Sequence, residues 1–271
     1  MSQEEAVKTT SDTIDVQQLE ARHEEADTRI ILHCVKNQES NCIVVQARDT
    51  DVLVLLVAHF HRMACNKLWL KAGTARKRKF IPVHDIVATM SFSQEQLESI
   101  VDFHAYAGCD IVLFFSGHGK KTAWHTFTQY SHLLKGLGVV NLTQETEDSV
   151  QEFICHLYKV DHITSVNKAQ SYLFLKSKAP ETLPPTYDAL SFYIKRAHYQ
   201  SSIWRQAHIN FPDIPEPEDS GWRLMNDELQ PILMSAAPVP DSCLELISCG
   251  CQGTCINLQC KCRKSNLLCS P

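Results

Sequence analysis

No apolar run in the 271-residue sequence approaches the ~20 residues that a bilayer-spanning helix needs; the longest, residues 52–58, is far too short. The opening Met1-Ser2-Gln3-Glu4-Glu5 has neither the basic segment nor the apolar segment of an export signal. Positive charge is not in excess. Lys and Arg number 26 against 31 Asp and Glu, a net charge of -5, which argues against a surface coated in cations for nucleic acid while leaving room for a local basic patch. Also missing are the G-x-S-x-G, P-loop and G-x-G-x-x-G signatures, so nucleophile-elbow, nucleotide-hydrolysing and dinucleotide chemistry have no anchor. Internal repeats are absent. What remains is ordinary globular composition, 44% hydrophobic and 21% charged, which excludes wholesale disorder. The expectation is a soluble intracellular protein with no membrane partner.

Cysteine is distributed unevenly. Cys34, Cys42, Cys65, Cys109 and Cys155 lie singly in apolar surroundings, where a free thiol behaves as a small buried hydrophobe. Near the C-terminus, Cys249, Cys251, Cys255, Cys260, Cys262 and Cys269 crowd together, two pairs of them in C-x-C. Neighbours in C-x-C do not easily bond to each other, and disulfide scaffolds belong to oxidising compartments. Clustered thiolates without an export signal point to Zn2+, with a thiol-rich unstructured tail as the alternative.

Periodicity predicts an α/β organisation. Residues 20–35 form a helix, charged at its start and apolar later. The run CIVVQA over 42–47 has the continuous, β-branched character of a strand buried on both faces. A helix over 52–63 follows, then two short strands at 68–70 and 80–83 joined by the basic turn Arg76-Lys77-Arg78-Lys79, then a helix over 93–107. This alternation argues for a mainly parallel sheet. Beyond Gly119 the pattern turns helical. Val150, Phe153, Ile154 and Leu157 fall at i, i+3, i+4 and i+7 behind Thr143 as N-cap, and Leu190, Ile194, Ala197 and Trp204 mark a helix over 186–208. Residues 211–221 and 236–242 are proline-rich connectors. The expected layout is a flexible 1–19, an α/β core over 20–142, a helical extension over 143–210, a linker region over 211–242 and the cysteine-rich tail over 243–271.

Acidic residues stand where a parallel sheet places its ligands. Asp49 and Asp51 follow the strand CIVVQA, and ligands of such sheets bind beyond the carboxyl ends of strands. The pair can hold a hard divalent cation, or it can cap the next helix. Asp110, in Gly108-Cys109-Asp110, is a second candidate whose alternative is a turn aspartate. Glu25 and Asp27 are a third, able to share one site only if the helix begins there; otherwise they are a charged first turn. His59 and His61 lie two apart on a helix and so face different sides, which disfavours joint metal binding. His104 is expected to line the core or a clamp, and Tyr193, Tyr199 and Trp204 to be packing residues.

Taken in order, Glu25-Ala26-Asp27, Asp49-Thr50-Asp51, Gly108-Cys109-Asp110 and Gly117-His118-Gly119-Lys120-Lys121-x-Ala123 resemble the motifs of the flap endonuclease/XPG branch of the PIN-like nucleases. The Gly108-to-Gly117 spacing is that of the family, and the resemblance covers roughly residues 20–125. It implies a partial PIN-like parallel sheet flanked by helices. Glu25, Asp27, Asp49, Asp51 and Asp110 would be the catalytic carboxylates, binding Mg2+ or Mn2+. Gly117, Gly119, Lys120 and Lys121 would grip a nucleic-acid backbone, that of DNA by expectation. Two metal ions roughly 4 Å apart would drive phosphodiester hydrolysis. The sequence departs from the family in three places. No apolar strand ending in Asp precedes Glu25, with Asp12 and Asp15 in polar surroundings; Asp27 replaces a Glu; and Ile111 replaces an aromatic residue. The implied functions are therefore a metal-dependent nuclease or a non-catalytic remnant that binds nucleic acid or protein.

The tail resembles the tesmin/TSO1-type CXC domain, a zinc-holding DNA-binding module, with Gln259 where that family has a DNA-contacting tyrosine. Chains of this combined kind are similar to animal proteins associated with mobile elements. Residues 76–79 fit either a nuclear import signal or a solvated hairpin tip. The expected location is the nucleus, with the cytoplasm as the alternative.

Overall fold

The computed structural model describes residues 15–74, 76–108, 118–139, 141–176 and 182–236. Asp110, Gly117 and the six tail cysteines lie outside the described residues, as does the expected site of Cys109 and Ile111. The chain divides into two compact units, Met1–Leu233 and Met234–Pro271, and every element below belongs to the first.

The fold is mixed α/β, with one small sheet that contains a parallel pair. Strand β1 (Cys42–Gln46) runs parallel to β2 (Lys67–Thr74), with Cys42 opposite Lys67 and Gln46 opposite Lys71. Helix α2 (Thr50–His59) makes the crossover that a parallel pair requires. Strand β3 (Lys77–Pro82) returns antiparallel to β2, so the order is β1-β2-β3. The sheet is thus less parallel than the alternation of elements predicts. Both hairpin strands are also longer than expected, and Lys77, Arg78 and Lys79 belong to β3 rather than to a turn.

Side chains alternate across this sheet. Val45, Leu68 and Leu70 point inward and join Ile31, Leu55, Leu56 and Val83 in one core. The opposite face carries Val44, which is 54% exposed, and Phe80, which is 52% exposed. The expectation that β1 is buried on both faces is therefore corrected: only Val45 of its five residues is buried. A β-branched run satisfies sheet propensity whichever face is covered. Cys42 is likewise exposed rather than a core thiol, whereas Cys34, Cys65 and Cys155 are buried as expected.

Helix α1 (Ala26–Lys36) begins later than the sequence pattern predicts. The preceding backbone satisfies its hydrogen bonds elsewhere: Arg22 N donates to Asn210 O at 3.0 Å, and Asn210 Nδ2 donates to the carbonyls of Gln18 and Glu20. Residues 16–19 form a short 3-10 helix capped by Asp15. Helix α3 (Val83–Met90) is not foreseen from the sequence. Helix α4 (Gln94–Tyr106) starts in a capping box, with Ser93 Oγ accepting from Gln96 N and Gln96 Oε1 accepting from Ser93 N.

Helices α5 (Lys120–Tyr130), α6 (Gln144–Leu157), α7 (Val166–Leu175) and α8 (Tyr187–Arg205) follow. Thr143 caps α6 and Thr186 caps α8; the stripes predicted for both helices are buried. Helix α4 packs against both α2 and α8, which buries residues 99–106. The span expected to be a linker contains a hairpin, β4 (Trp222–Met225) and β5 (Glu228–Pro231). Its two-residue turn, Asn226 at φ 53° and Asp227 at φ 62°, has the doubly left-handed backbone that matches strand twist. Arg196 Nη1 ties the hairpin to α8 by donating to Gly221 O at 3.2 Å and Ile232 O at 2.6 Å. Among the described residues no helix is long and apolar enough to cross a membrane.

Candidate functional site

Two acidic motifs open two helices that pack against each other, α1 and α2. Glu25 is the N-cap of α1 with backbone in the β region, and Asp27 lies in the first turn. Asp49 is the N-cap of α2, where its Oδ1 accepts from Asp51 N at 3.0 Å, and Asp51 lies in the first turn. Both motifs are thus at the positive ends of helix dipoles, where carboxylates are stabilised. The condition under which Glu25 and Asp27 could share a site, a helix that begins between them, is met.

Helix α8 brings the two motifs into contact with one aromatic stack. Gln200 and Trp204, one turn apart, both reach Glu25: Gln200 Nε2 donates to Oε1 at 2.9 Å and Trp204 Nε1 donates to Oε2 at 3.0 Å. The indole of Trp204 stacks on the His104 ring at 5.5 Å between centroids. His104 Nε2 in turn lies 2.7 Å from Asp51 Oδ1. Glu25 and Asp51, 26 positions apart in sequence, are therefore joined through Trp204 and His104. Burial and the carboxylates of Glu24 and Glu25 push the nearby Tyr199 hydroxyl up.

A second network lies one residue further along α8, on the neighbouring stripe of the same turns. Asp102 on α4 is fully buried and is met by Ser201 Oγ and by Arg205, whose Nε donates to Oδ1 at 2.7 Å while Nη2 donates to Oδ2. Burial pushes the Asp102 carboxyl up to about 6, with the Arg205 guanidinium and the Ser201 hydroxyl opposing that rise. His59, at the end of α2, bonds through Nε2 to Trp204 O at 2.8 Å, and burial lowers its pKa to about 3. A neutral ring bonded to a carbonyl must donate, so the proton sits on Nε2. His61 instead meets Glu98 at 3.2 Å, so the two histidines diverge as their spacing predicts.

The donors present suit a hard cation chemically, being carboxylate oxygens. Geometrically, among the described residues no three His, Cys, Asp or Glu side chains form a group that could hold a metal ion. Glu25 has both oxygens committed to Gln200 and Trp204, and Asp51 has one committed to His104. The described carboxylates alone do not make a metal centre. Burial pushes the thiols of Cys34 and Cys155 up, to about 12 and about 11, so both stay protonated at neutral pH.

In the clamp motif, Gly119 is the N-cap of α5 without a side-chain cap, and Lys120 and Lys121 are exposed in its first turn. Gly119 has φ -68°, and a Cβ there would meet nothing within 4 Å. Its backbone does not require glycine. Sequence reading did not find Gln200, Asp102 or Arg205, and it treated Trp204 as packing. The signal available was positional: Gln200 with Trp204 and Ser201 with Arg205 are i, i+4 pairs, which places polar groups on the buried side of α8. No family model, curated protein or solved structure matches the chain.

Proposed function

We propose that the chain is a PIN-like domain of the flap endonuclease type that acts on the phosphodiesters of nucleic acid, DNA by preference. The order of the four motifs in the sequence is the basis of the reading. The observation that supports it in three dimensions is the meeting of Glu25 and Asp51 around Trp204 and His104, at the starts of α1 and α2. In this reading Gln200 and Trp204 orient Glu25, His104 orients Asp51, and Asp49 holds the entry to α2. A metal-dependent reaction needs a further donor, for which the sequence offers Asp110. The tail thiolates from Cys249 to Cys269 are assigned to zinc on the same footing.

A second reading, a non-catalytic module that binds nucleic acid, is favoured by a specific observation. Glu25 has both oxygens occupied by protein donors, and the described carboxylates lack a three-donor arrangement. Labelled flap and single-stranded DNA incubated with the full chain in Mn2+, beside Asp110→Ala, decide between them. The nuclease reading expects cleavage by the parent chain and none by the variant. Binding without cleavage by folded protein leaves the second reading, and equal cleavage by both proteins removes the assigned role of Asp110.

A further inference from the structure

At the carboxyl end of β1 lies a cleft of about 480 Å³, lined by Gln46, Arg48, Lys71, Gly73, Thr74 and Arg78 among others. Its charge is of one sign. Between residues 67 and 82 stand Lys67, Lys71, Arg76, Lys77, Arg78 and Lys79 with no carboxylate, in a chain whose net charge is -5. Among the described residues, neither these cations nor Arg48 has a salt-bridge partner. Lys71 Nζ donates instead to the amide of Gln46 across the parallel pair, at 2.9 Å. Gly73 adopts φ 89°, and a Cβ there would lie 2.3 Å from Lys77 O, so the hairpin closes behind the cleft only with glycine at this place.

The same face of the sheet is aromatic and apolar. Gln46, Lys71 and Phe80 form one cross-strand row, and Val44, Trp69 and Pro82 form the next. Phe80 is 52% exposed and Val44 is 54% exposed. Cations and an open ring therefore alternate on one face of the sheet, about 4.8 Å apart between strands and about 6.7 Å apart along them.

We propose that this face binds a single-stranded nucleic acid, with phosphates at Arg48, Lys71 and Arg78 and a base stacked on Phe80. The proposal rests on the reading that nucleic acid is the partner, and it needs no cleavage. Charge complementarity selects a polyanion. The exposed ring beside Lys71 selects unpaired bases over an acidic peptide, which has no π-face to offer, and over a duplex, whose bases are already stacked.

Anisotropy of a labelled oligo-dT of about 16 nucleotides tests this with the full chain, in buffer without added divalent cation. The expected result is binding that weakens steeply from about 50 to 200 mM salt, with the slope falling by about 0.7 for each of Lys71→Ala and Arg78→Ala. Phe80→Ala should weaken binding about fivefold or more, and Phe80→Tyr should restore it. Absence of binding overturns the proposal, and so does binding unaffected by the Phe80 and Lys71 variants, as would follow from contact through the cysteine-rich tail alone. Equal affinity for a duplex, or displacement of the oligonucleotide by polyglutamate as readily as by unlabelled dT, also overturns it. If the parent chain binds in this pattern yet cuts nothing in Mn2+, the nuclease reading falls and the sheet face stands. Cleavage without this pattern gives the converse.

Discussion

Asp102 enters the centre of the fold with no exposure, and each of its oxygens is met by Arg205. Removing one member of such a pair strands the other charge away from water. Asp102→Ala should therefore destabilise the protein by about 3–5 kcal/mol in urea unfolding, whereas replacing both partners, Asp102→Leu with Arg205→Met, should cost less than the single change. His59 makes the opposite demand, to stay neutral. Its pKa falls from 6.5 to about 3 on burial, so between these values the unfolded chain binds the proton and the folded chain does not. The contribution is complete above pH 6.5 and is lost as pH falls toward 3. Asp102, raised from 3.8 to about 6, runs the other way: its contribution is complete below pH 3.8 and declines as pH rises to 6. Comparison with His59→Gln isolates the histidine. Near pH 5 the parent should lose about 1.4 kcal/mol more per unit of acidification than the variant, in denaturation curves recorded at successive pH values.

The β2–β3 hairpin shows how little of an element's role is stored in its composition. Six cations in sixteen residues suit a solvated loop, and three of them nevertheless lie in β3. Cross-strand pairing from Trp69–Pro82 to Thr74–Lys77 fixes them there, and pairing is a property of the partner strand as much as of the segment. Gly73 is the exception, a position where local backbone decides. Gly73→Ala should destabilise the fold by about 1–3 kcal/mol in thermal or urea unfolding, because the added Cβ meets backbone and the left-handed angle disfavours any L side chain. The helices divide along the same line. Ser93, Thr143 and Thr186 cap α4, α6 and α8 through their own side chains, and all three positions were legible in the sequence, Thr143 as a cap and the other two as helix starts. The start of α1 was not, because residues 20–25 are held extended by bonds to Ile209 and Asn210, far along the chain.

Across the unit from Met1 to Leu233, α8 joins what the sequence keeps apart. Two of its i, i+4 pairs face two acidic residues on two other parts of the chain: Gln200 and Trp204 meet Glu25, while Ser201 and Arg205 meet Asp102. Trp204 also carries the His104 ring that holds Asp51, and its carbonyl accepts from His59. Trp204→Phe keeps an aromatic ring beside His104 but removes the indole N–H together with part of a buried bicycle. It should cost about 2–4 kcal/mol in urea unfolding, from the lost hydrogen bond to Glu25 and the space left by the smaller ring. A loss below about 1 kcal/mol would mean that neither the indole body nor its bond to Glu25 holds α8 to α1.

The sequence by itself determined the α/β class, the helices with strong apolar stripes, and the identity of the acidic motifs at Glu25, Asp27, Asp49 and Asp51. Periodicity, caps and short motifs are local, and a single segment expresses them whatever surrounds it. Only the tertiary structure decided which face of β1 is covered, that β3 returns antiparallel, and that Glu25 and Asp51 meet around Trp204 and His104. Those outcomes depend on which distant surface supplies the buried contacts and hydrogen bonds, information that no single stretch of this chain contains.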